Sequence, residues 1–149
     1  MDINDLKKLA GIPILEEYTG PGFVTDIEED TTQNTDFRRE IYTTDQLQLV
    51  LMSVETEIGM EVHKETSQFI RVDAGEGYVV LDGVRTPIKD GSAIVVPAGT
   101  EHNVVNTGKT PLQIYTVYAP PHHVNGVVHH TKAEADADKK DHFDGNTDQ

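Results

Sequence analysis

An all-β fold, a closed barrel or two packed antiparallel sheets, is what this sequence predicts. Three observations carry it. Six short runs rich in Val, Ile, Tyr and Phe follow one another from Leu47 to Tyr118, the residue types a half-buried pleated surface prefers. Turn chemistry separates them. No stretch of helical periodicity lies between them, which argues against crossover helices and for antiparallel pairing.

The runs are Leu47–Val54, Phe69–Val72, Tyr78–Leu81, Ala93–Val96, His102–Val105 and Leu112–Tyr118. Gly75-Glu76-Gly77, Asp82-Gly83, Asp90-Gly91, Pro97-Ala98-Gly99 and Thr107-Gly108 punctuate them. Asp82-Gly83 is a tight-hairpin signal, because glycine takes positive φ without steric cost. The flanks differ. Ile3, Leu6 and Leu9-Ala10 have helical spacing and are stopped by Gly11 and Pro13, so a short helix is expected over 1–10. Residues 16–36 are acidic and turn-rich and read as extended or loop structure. Thr131 with Glu134 three residues on forms a capping-box pattern that opens a helix over Lys132–Lys140, and the polar residues Asp141–Gln149 are expected to fray. The division is therefore an N-terminal flank over 1–44 packing on the barrel, a barrel core over 45–118, and a C-terminal extension over 119–149.

The 149 residues suit one domain with a real core. Twelve Lys and Arg stand against 26 Asp and Glu, a net charge of −14. That balance argues against nucleic acid and anionic membranes as partners, since both attract positive patches. It leaves open an anionic small molecule, because a local cation can dominate a pocket. With no cysteine, disulfides, thiolate metal sites and Cys nucleophiles are excluded. No apolar run approaches the ~20 residues that span a bilayer. MDINDLKKLAG lacks the basic and apolar regions of a signal peptide. The expectation is a soluble cytoplasmic protein.

Difficult chemistry falls to the carboxylates and seven histidines. Glu61 and His63 are two apart, so on a strand both face one way and Val62 the other. Gln68 heads the next apolar run and His102 opens a later one. A carboxylate, an amide and two imidazoles could thus converge inside a barrel, although each alone also suits a solvated or core role. His122, His123, His129, His130 and His142 crowd the C-terminal segment. In an extended strand each adjacent pair can offer only one inward ligand, and a surface or interface role is expected for them. Arg38, Arg39, Arg71, Arg85 and Lys89 are the cations that could hold an anionic substrate. Parity sets Arg71 opposite Gln68, facing outward, while Arg38 or Arg39 could fold over the barrel mouth. Asn106, just before Thr107-Gly108, reads as a turn cap.

Gly91 to Asn106 resembles the second signature motif of the cupin superfamily, G-x5-P-x-G-x2-H-x3-N, with Gly91, Pro97, Gly99, His102 and Asn106 at the specified positions. The first motif, G-x5-H-x-H-x3,4-E-x6-G, is matched in part. His63 takes its second histidine and Gly75 its closing glycine. Glu61 replaces the first histidine, Gln68 the carboxylate, and Glu55 the opening glycine. The resemblance covers about residues 45–118 and implies the jelly-roll barrel called a double-stranded β-helix, with one divalent metal held by Glu61, His63, Gln68 and His102. Both substituted positions keep donor atoms, and two histidines with a carboxylate suit Zn, Mn, Fe or Ni alike. This ligand set is similar to the zinc set of cupin-type mannose-6-phosphate isomerases, and so implies sugar-phosphate-isomerase-like chemistry on a small-molecule substrate. Two alternatives remain open: an Fe(II)-dependent dioxygenase, and a metal- or ligand-binding sensor without turnover. No separate catalytic base stands out; Glu101, beside His102, is pointed away by parity. The edges of a small barrel and the apolar stretch Tyr115–Pro121, with the cupin resemblance, imply a homodimer.

Overall fold

A computed structural model describes Asp5 and residues 18–149. The helix expected over 1–10 lies, apart from the helical Asp5, outside the described residues. Nine strands and two short helices follow: α1 (Ile27–Gln33), β1 (Arg38–Thr43), β2 (Gln48–Val54), β3 (Ser67–Ala74), β4 (Glu76–Leu81), β5 (Val84–Lys89), β6 (Ala93–Val96), β7 (His102–Asn106), β8 (Leu112–Ala119), β9 (Val128–His129) and α2 (Lys132–Ala137). They form two antiparallel sheets, one in the order β6-β3-β8-β2-β1-β9 and one in the order β5-β4-β7. The two-sheet antiparallel architecture expected from the strand pattern, and the jelly roll that the cupin resemblance implies, are what the chain adopts. Among the described residues, no helix is long and apolar enough to cross a membrane.

Each of the six expected runs is a strand, with ends shifted by at most two residues. Alternation does the work: in β8, Leu112, Ile114, Thr116 and Tyr118 are buried while the residues between them are less so. Their inward side chains meet Val50, Met52 and Val54 of β2, Ile70 and Val72 of β3, and Val79 and Val104 of the facing sheet in one cluster. Each such aliphatic side chain contributes roughly 1.5–3 kcal/mol on burial. Asp82 and Gly83, with φ of 45° and 83°, make the tight turn between β4 and β5, as the pair predicts.

Three strands and one helix lie where the sequence shows no apolar run. Arg38, Arg39 and Glu40 open β1, yet Arg38 and Glu40 point inward and are buried. β5 lies at the edge of its sheet, which is why it tolerates five exposed positions and Pro87. β9 is too short to show a pattern. Residues 27–33, read as extended or loop, are helical because Asp26 caps them, its carboxylate accepting from the Glu29 amide at 3.1 Å. Thr31 is the buried contact of this acidic helix, and its hydroxyl is satisfied by the Ile27 carbonyl at 2.6 Å. α2 is shorter than the expected 132–140 and ends at Ala137. Thr131 caps it at the Glu134 amide, 3.1 Å. Glu134 reaches back to the His130 amide at 2.7 Å. The tail after it, expected to fray, is tied down: the Phe143 amide donates to the His122 carbonyl at 3.0 Å, and the Asp148 amide to the Thr43 carbonyl at 2.9 Å.

The two sheets close where Gly75 turns and Gly77 enters β4. Gly77, read as part of a turn, is a buried strand residue. A Cβ there would lie 1.9 Å from the Val105 carbonyl oxygen of β7, so only glycine lets these strands pair this closely. Gly77→Ala should therefore cost about 1–3 kcal/mol of stability, read as a lowered urea midpoint. An unchanged midpoint would show that the β4–β7 pair has slack.

Candidate metal centre

The site begins with a segment outside the named strands. After β2 the chain runs along the free edge of β7. The Asn106 amide donates to Thr56 O (2.8 Å), and Ile58 N–H to Val104 O (3.0 Å). Glu57 bridges Val105 and Glu61 bridges His102. Four steps on one side match three on the other, so the segment holds one extra residue, a bulge. Gly59, at φ 105°, sits between the two bridges, and its amide is taken by Asn103 Oδ1 at 2.9 Å. Beyond the bulge, Glu61 and His102 exchange both backbone hydrogen bonds, 2.8 and 2.9 Å.

A turn holds the second half. Thr100 N–H closes onto Pro97 O at 3.1 Å, and Gly99 N–H donates to the His63 carbonyl at 2.7 Å. The Thr100 carbonyl lies 2.8 Å from His102 Nδ1. That contact sets Nδ1 as the protonated nitrogen and leaves the Nε2 lone pair free, the usual support for a ligating histidine. Asn106 caps the following turn as expected, with its amide nitrogen on the Val54, Glu55 and Thr110 carbonyls and its oxygen on the Gly108 amide.

Glu61, His63 and His102 come together: each offers a ligand atom, and these atoms lie within 4.8 Å of one another. His63 Nε2 and Glu61 Oε2 are 3.1 Å apart, yet the buried Nε2 has no hydrogen-bond partner of good geometry. The His63 and His102 rings stand 4.9 Å apart. Val62 is exposed, as parity requires, although the segment is an isolated bridge rather than a strand. Gln68 is buried in β3; its nitrogen donates to Thr116 Oγ1 at 2.9 Å, while its Oε1 is buried without a partner. Glu101 is exposed and faces away. A lone pair on His63 and another on Gln68 are thus unspent in a desolvated interior, which is costly unless something electrophilic meets them. The residues fit a divalent cation.

Electrostatics agree. Burial opposes ionisation of Glu61, but His63, Arg38 and His102 hold its carboxyl below the usual carboxylate range. Burial pushes His102 down despite its bond to the Thr100 carbonyl. Both changes favour the ligating forms, anionic carboxylate and neutral imidazole.

The C-terminal histidines depart from the expected surface role. The ring of His122 lies 4.1 Å from that of His63, and burial, His123 and His63 push it down to about 3. His123 and His129 are each 4% exposed. The one-inward-ligand rule fails because 120–127 is not a strand, so neighbouring rings both lie against Tyr118, at 5.8 and 4.8 Å. His130 and His142 are exposed as expected. Arg38 does not fold over the mouth; it is 6% exposed, inside the barrel. Arg39 is outside and pairs with Asp36 at 3.2 Å. Arg71 points outward as parity sets it, half-exposed and 3.7 Å from Asp73. A cleft of about 470 Å³ opens onto His63, walled by Lys64, Glu65, Pro120, His122, His142 and Phe143.

A jelly roll whose strands present two histidines and a carboxylate in this way defines a cupin, and the chain belongs to the cupin superfamily. The Cupin domain family matches residues 48–118. The chain is 44% identical over 130 residues to the Bacillus subtilis protein YrkC, covering 82% of this chain and 70% of that one. It is 36% identical over 113 residues to protein L612 of Acanthamoeba polyphaga mimivirus, covering 71% and 70%. The crystal structure of BH2720 from Bacillus halodurans superposes with a TM-score of 0.77 at 45% identity, over 80% of this chain and 97% of that one.

Two outcomes follow from the geometry. Gly59→Ala forces a side chain into left-handed backbone at a cost of about 1–2 kcal/mol, and it should displace Glu61 while leaving the barrel folded. Reduced divalent-metal affinity with an unchanged far-UV spectrum is the expected pairing of results. Asp141, buried beside His123, illustrates a pH effect. Burial opposes its ionisation, but the His123 Nδ1 hydrogen bond (2.7 Å), the Val124 amide (2.8 Å) and Arg38 bring its carboxyl down to about 2. Since the folded value lies below the unfolded one, the stabilisation is full above pH ~4 and disappears as pH falls through ~2. Asp141→Asn should cost up to about 2 kcal/mol at pH 6 and little at pH 2, measured by urea unfolding at both values.

Proposed function

We propose that this cupin is a metal-dependent small-molecule enzyme, with Glu61, His63 and His102 as ligands and Gln68 Oε1 as a fourth, acting on a sugar phosphate by aldose–ketose isomerisation. One observation carries it: ligand atoms of Glu61, His63 and His102 converge within 4.8 Å; the buried Gln68 Oε1, which has no hydrogen-bond partner, adds to it. A divalent ion there would supply Lewis acidity, polarising a substrate oxygen.

The chain's own residues do the remaining work. His102 is kept in its ligating tautomer by the Thr100 carbonyl. Pro120 and Phe143 give the cleft an apolar stretch of wall. His122, neutral by burial, can donate a hydrogen bond to a substrate oxygen but is too weak a base to remove a carbon-bound proton. Lys64, Glu65 and His142 are the other titratable groups lining the cleft, and Glu65 or His142 would carry that proton between adjacent carbons.

Untagged protein should hold about one equivalent of a transition metal by elemental analysis, and His63→Ala/His102→Ala should hold none. Gln68→Leu should weaken binding without abolishing it, because a neutral ligand contributes less than a carboxylate. In deuterated water the metal-loaded protein should exchange solvent deuterium into a sugar phosphate at the carbon beside its carbonyl. Metal binding with no exchange into aldose or ketose phosphates would retire the isomerase chemistry. Equal, near-zero metal in both proteins would retire the centre itself.

A further inference from the structure

Among the described residues Arg38 is the one buried cation, and its charge is poorly met. Its Nη1 lies 3.3 Å from His129 Nδ1. His129 Nε2 is 2.9 Å from Asp138 Oδ2, so Nε2 carries the proton and Nδ1 accepts from Arg38. The direct partner of Arg38 is thus a neutral ring. Its nearest carboxylate oxygen, Asp141 Oδ2, is 3.9 Å away, beyond hydrogen-bond range, and is already bonded to His123 Nδ1 at 2.7 Å. Arg38 Nε is buried without a partner, and so is Nε2 of His123, the ring whose Nδ1 is bonded to the same carboxylate. One orphan is an N–H donor on a permanent cation. The other, with its proton on Nδ1, is a lone pair. A molecule meeting both needs an anionic oxygen and a hydroxyl.

The position favours such a ligand. The Arg38 charge acts on Glu61 of the trio and on Tyr118, the latter ring 5.9 Å from His63 and 4.8 Å from His123. Glu61, Asp141, Asp138 and Glu40 are the carboxylates around it; a dication among the trio, added to Arg38, would offset most of their charge. Resting on the metal reading above, we propose that Arg38 and His123 form the subsite that takes the oxyanion and an adjacent hydroxyl of a small hydroxy-anion substrate, with Arg38 Nε–H donating to the oxyanion and His123 Nε2 accepting from the hydroxyl. The oxyanion is a carboxylate or a phosphoryl group.

Calorimetry of malate, succinate and inorganic phosphate against Mn(II)-loaded and metal-free protein tests this. Wild type should bind malate or phosphate. Tighter malate identifies a carboxylate substrate, and tighter phosphate a phosphorylated one. Arg38→Met should weaken that binding tenfold or more with Mn(II) content unchanged. Arg38→Lys, which keeps the charge that Asp141 needs for folding, should also weaken it several-fold, because it lacks the Nε donor. Malate should exceed succinate in wild type and lose that advantage in His123→Leu. Binding by both Arg38 variants at wild-type strength, or no anion binding by wild type, overturns the proposal. Equal malate and succinate affinities in wild type overturn the role of His123. Failure of Mn(II) to bind would sink the metal reading alone: anion binding by metal-free wild type that Arg38→Met lacks would still support the subsite.

Discussion

The pair of backbone hydrogen bonds exchanged by Glu61 and His102 is the constraint on which the site depends. A carboxylate and an imidazole from segments forty residues apart are placed side chain to side chain because their main chains are directly opposed. The extra residue at Gly59 decides which side chain meets His102. Without it the pairing that begins at Glu57 and Val105 would slip by one and present Met60 instead. Gly59 is thus a register device, and Asn103 holds it by accepting its amide proton. The Pro97–Thr100 turn then ties His63 through its carbonyl and His102 through its ring, so one short loop orients both imidazoles.

Around that constraint the interior is divided. The far end of the barrel is filled by Val, Ile, Leu and Met side chains of 0% exposure, and the near end by ionisable and amide groups. Such a mixture is stable only when every polar atom is met, and here most are: Gln48 receives the His122 and His123 amides on its oxygen and gives its nitrogen to Thr43 and the His123 carbonyl. Of the seven side-chain atoms left unmet among the described residues, five are on Arg38, Glu40, His63, Gln68 and His123 at the near end, and two are on the Arg71–Asp73 pair of β3. A fold of this size tolerates few orphaned buried groups without a reason. Those at the near end, apart from the one on Glu40, are the atoms that the proposed metal and anion would meet.

Much of this was legible in the residues. The sixteen-residue run from Gly91 to Asn106 announces a strand and a turn because Pro and the glycines admit few backbone paths, and its resemblance to the second cupin motif singles out His102 as a candidate ligand. Two-residue parity brought Glu61 and His63 to one face, although the carrier is an irregular edge segment. What stayed hidden was whatever depended on tertiary burial of charge. Arg38 lies in a stretch of charged residues that looks solvated, and nothing local says that His129 and Asp141 will enclose it. His122 and His123 were judged by strand geometry, but the chain after Pro120-Pro121 is irregular and lets adjacent rings pack on the same tyrosine. α1 lies in an acidic stretch that resembles a loop, although Asp26 with Glu29 three residues on is the same kind of cap signal that Thr131 and Glu134 give for α2.

The placement of Glu61 and His63 on the outermost edge of the three-stranded sheet has a kinetic meaning. An edge held by a handful of backbone bonds and a glycine bulge opens more often than the barrel unfolds. Each such opening separates two donors from the third while β7 keeps His102 in place. Ion exchange at this centre would then run at the breathing rate of residues 55–63, and amide protons of Ile58 and Glu61 would swap with solvent on the same clock.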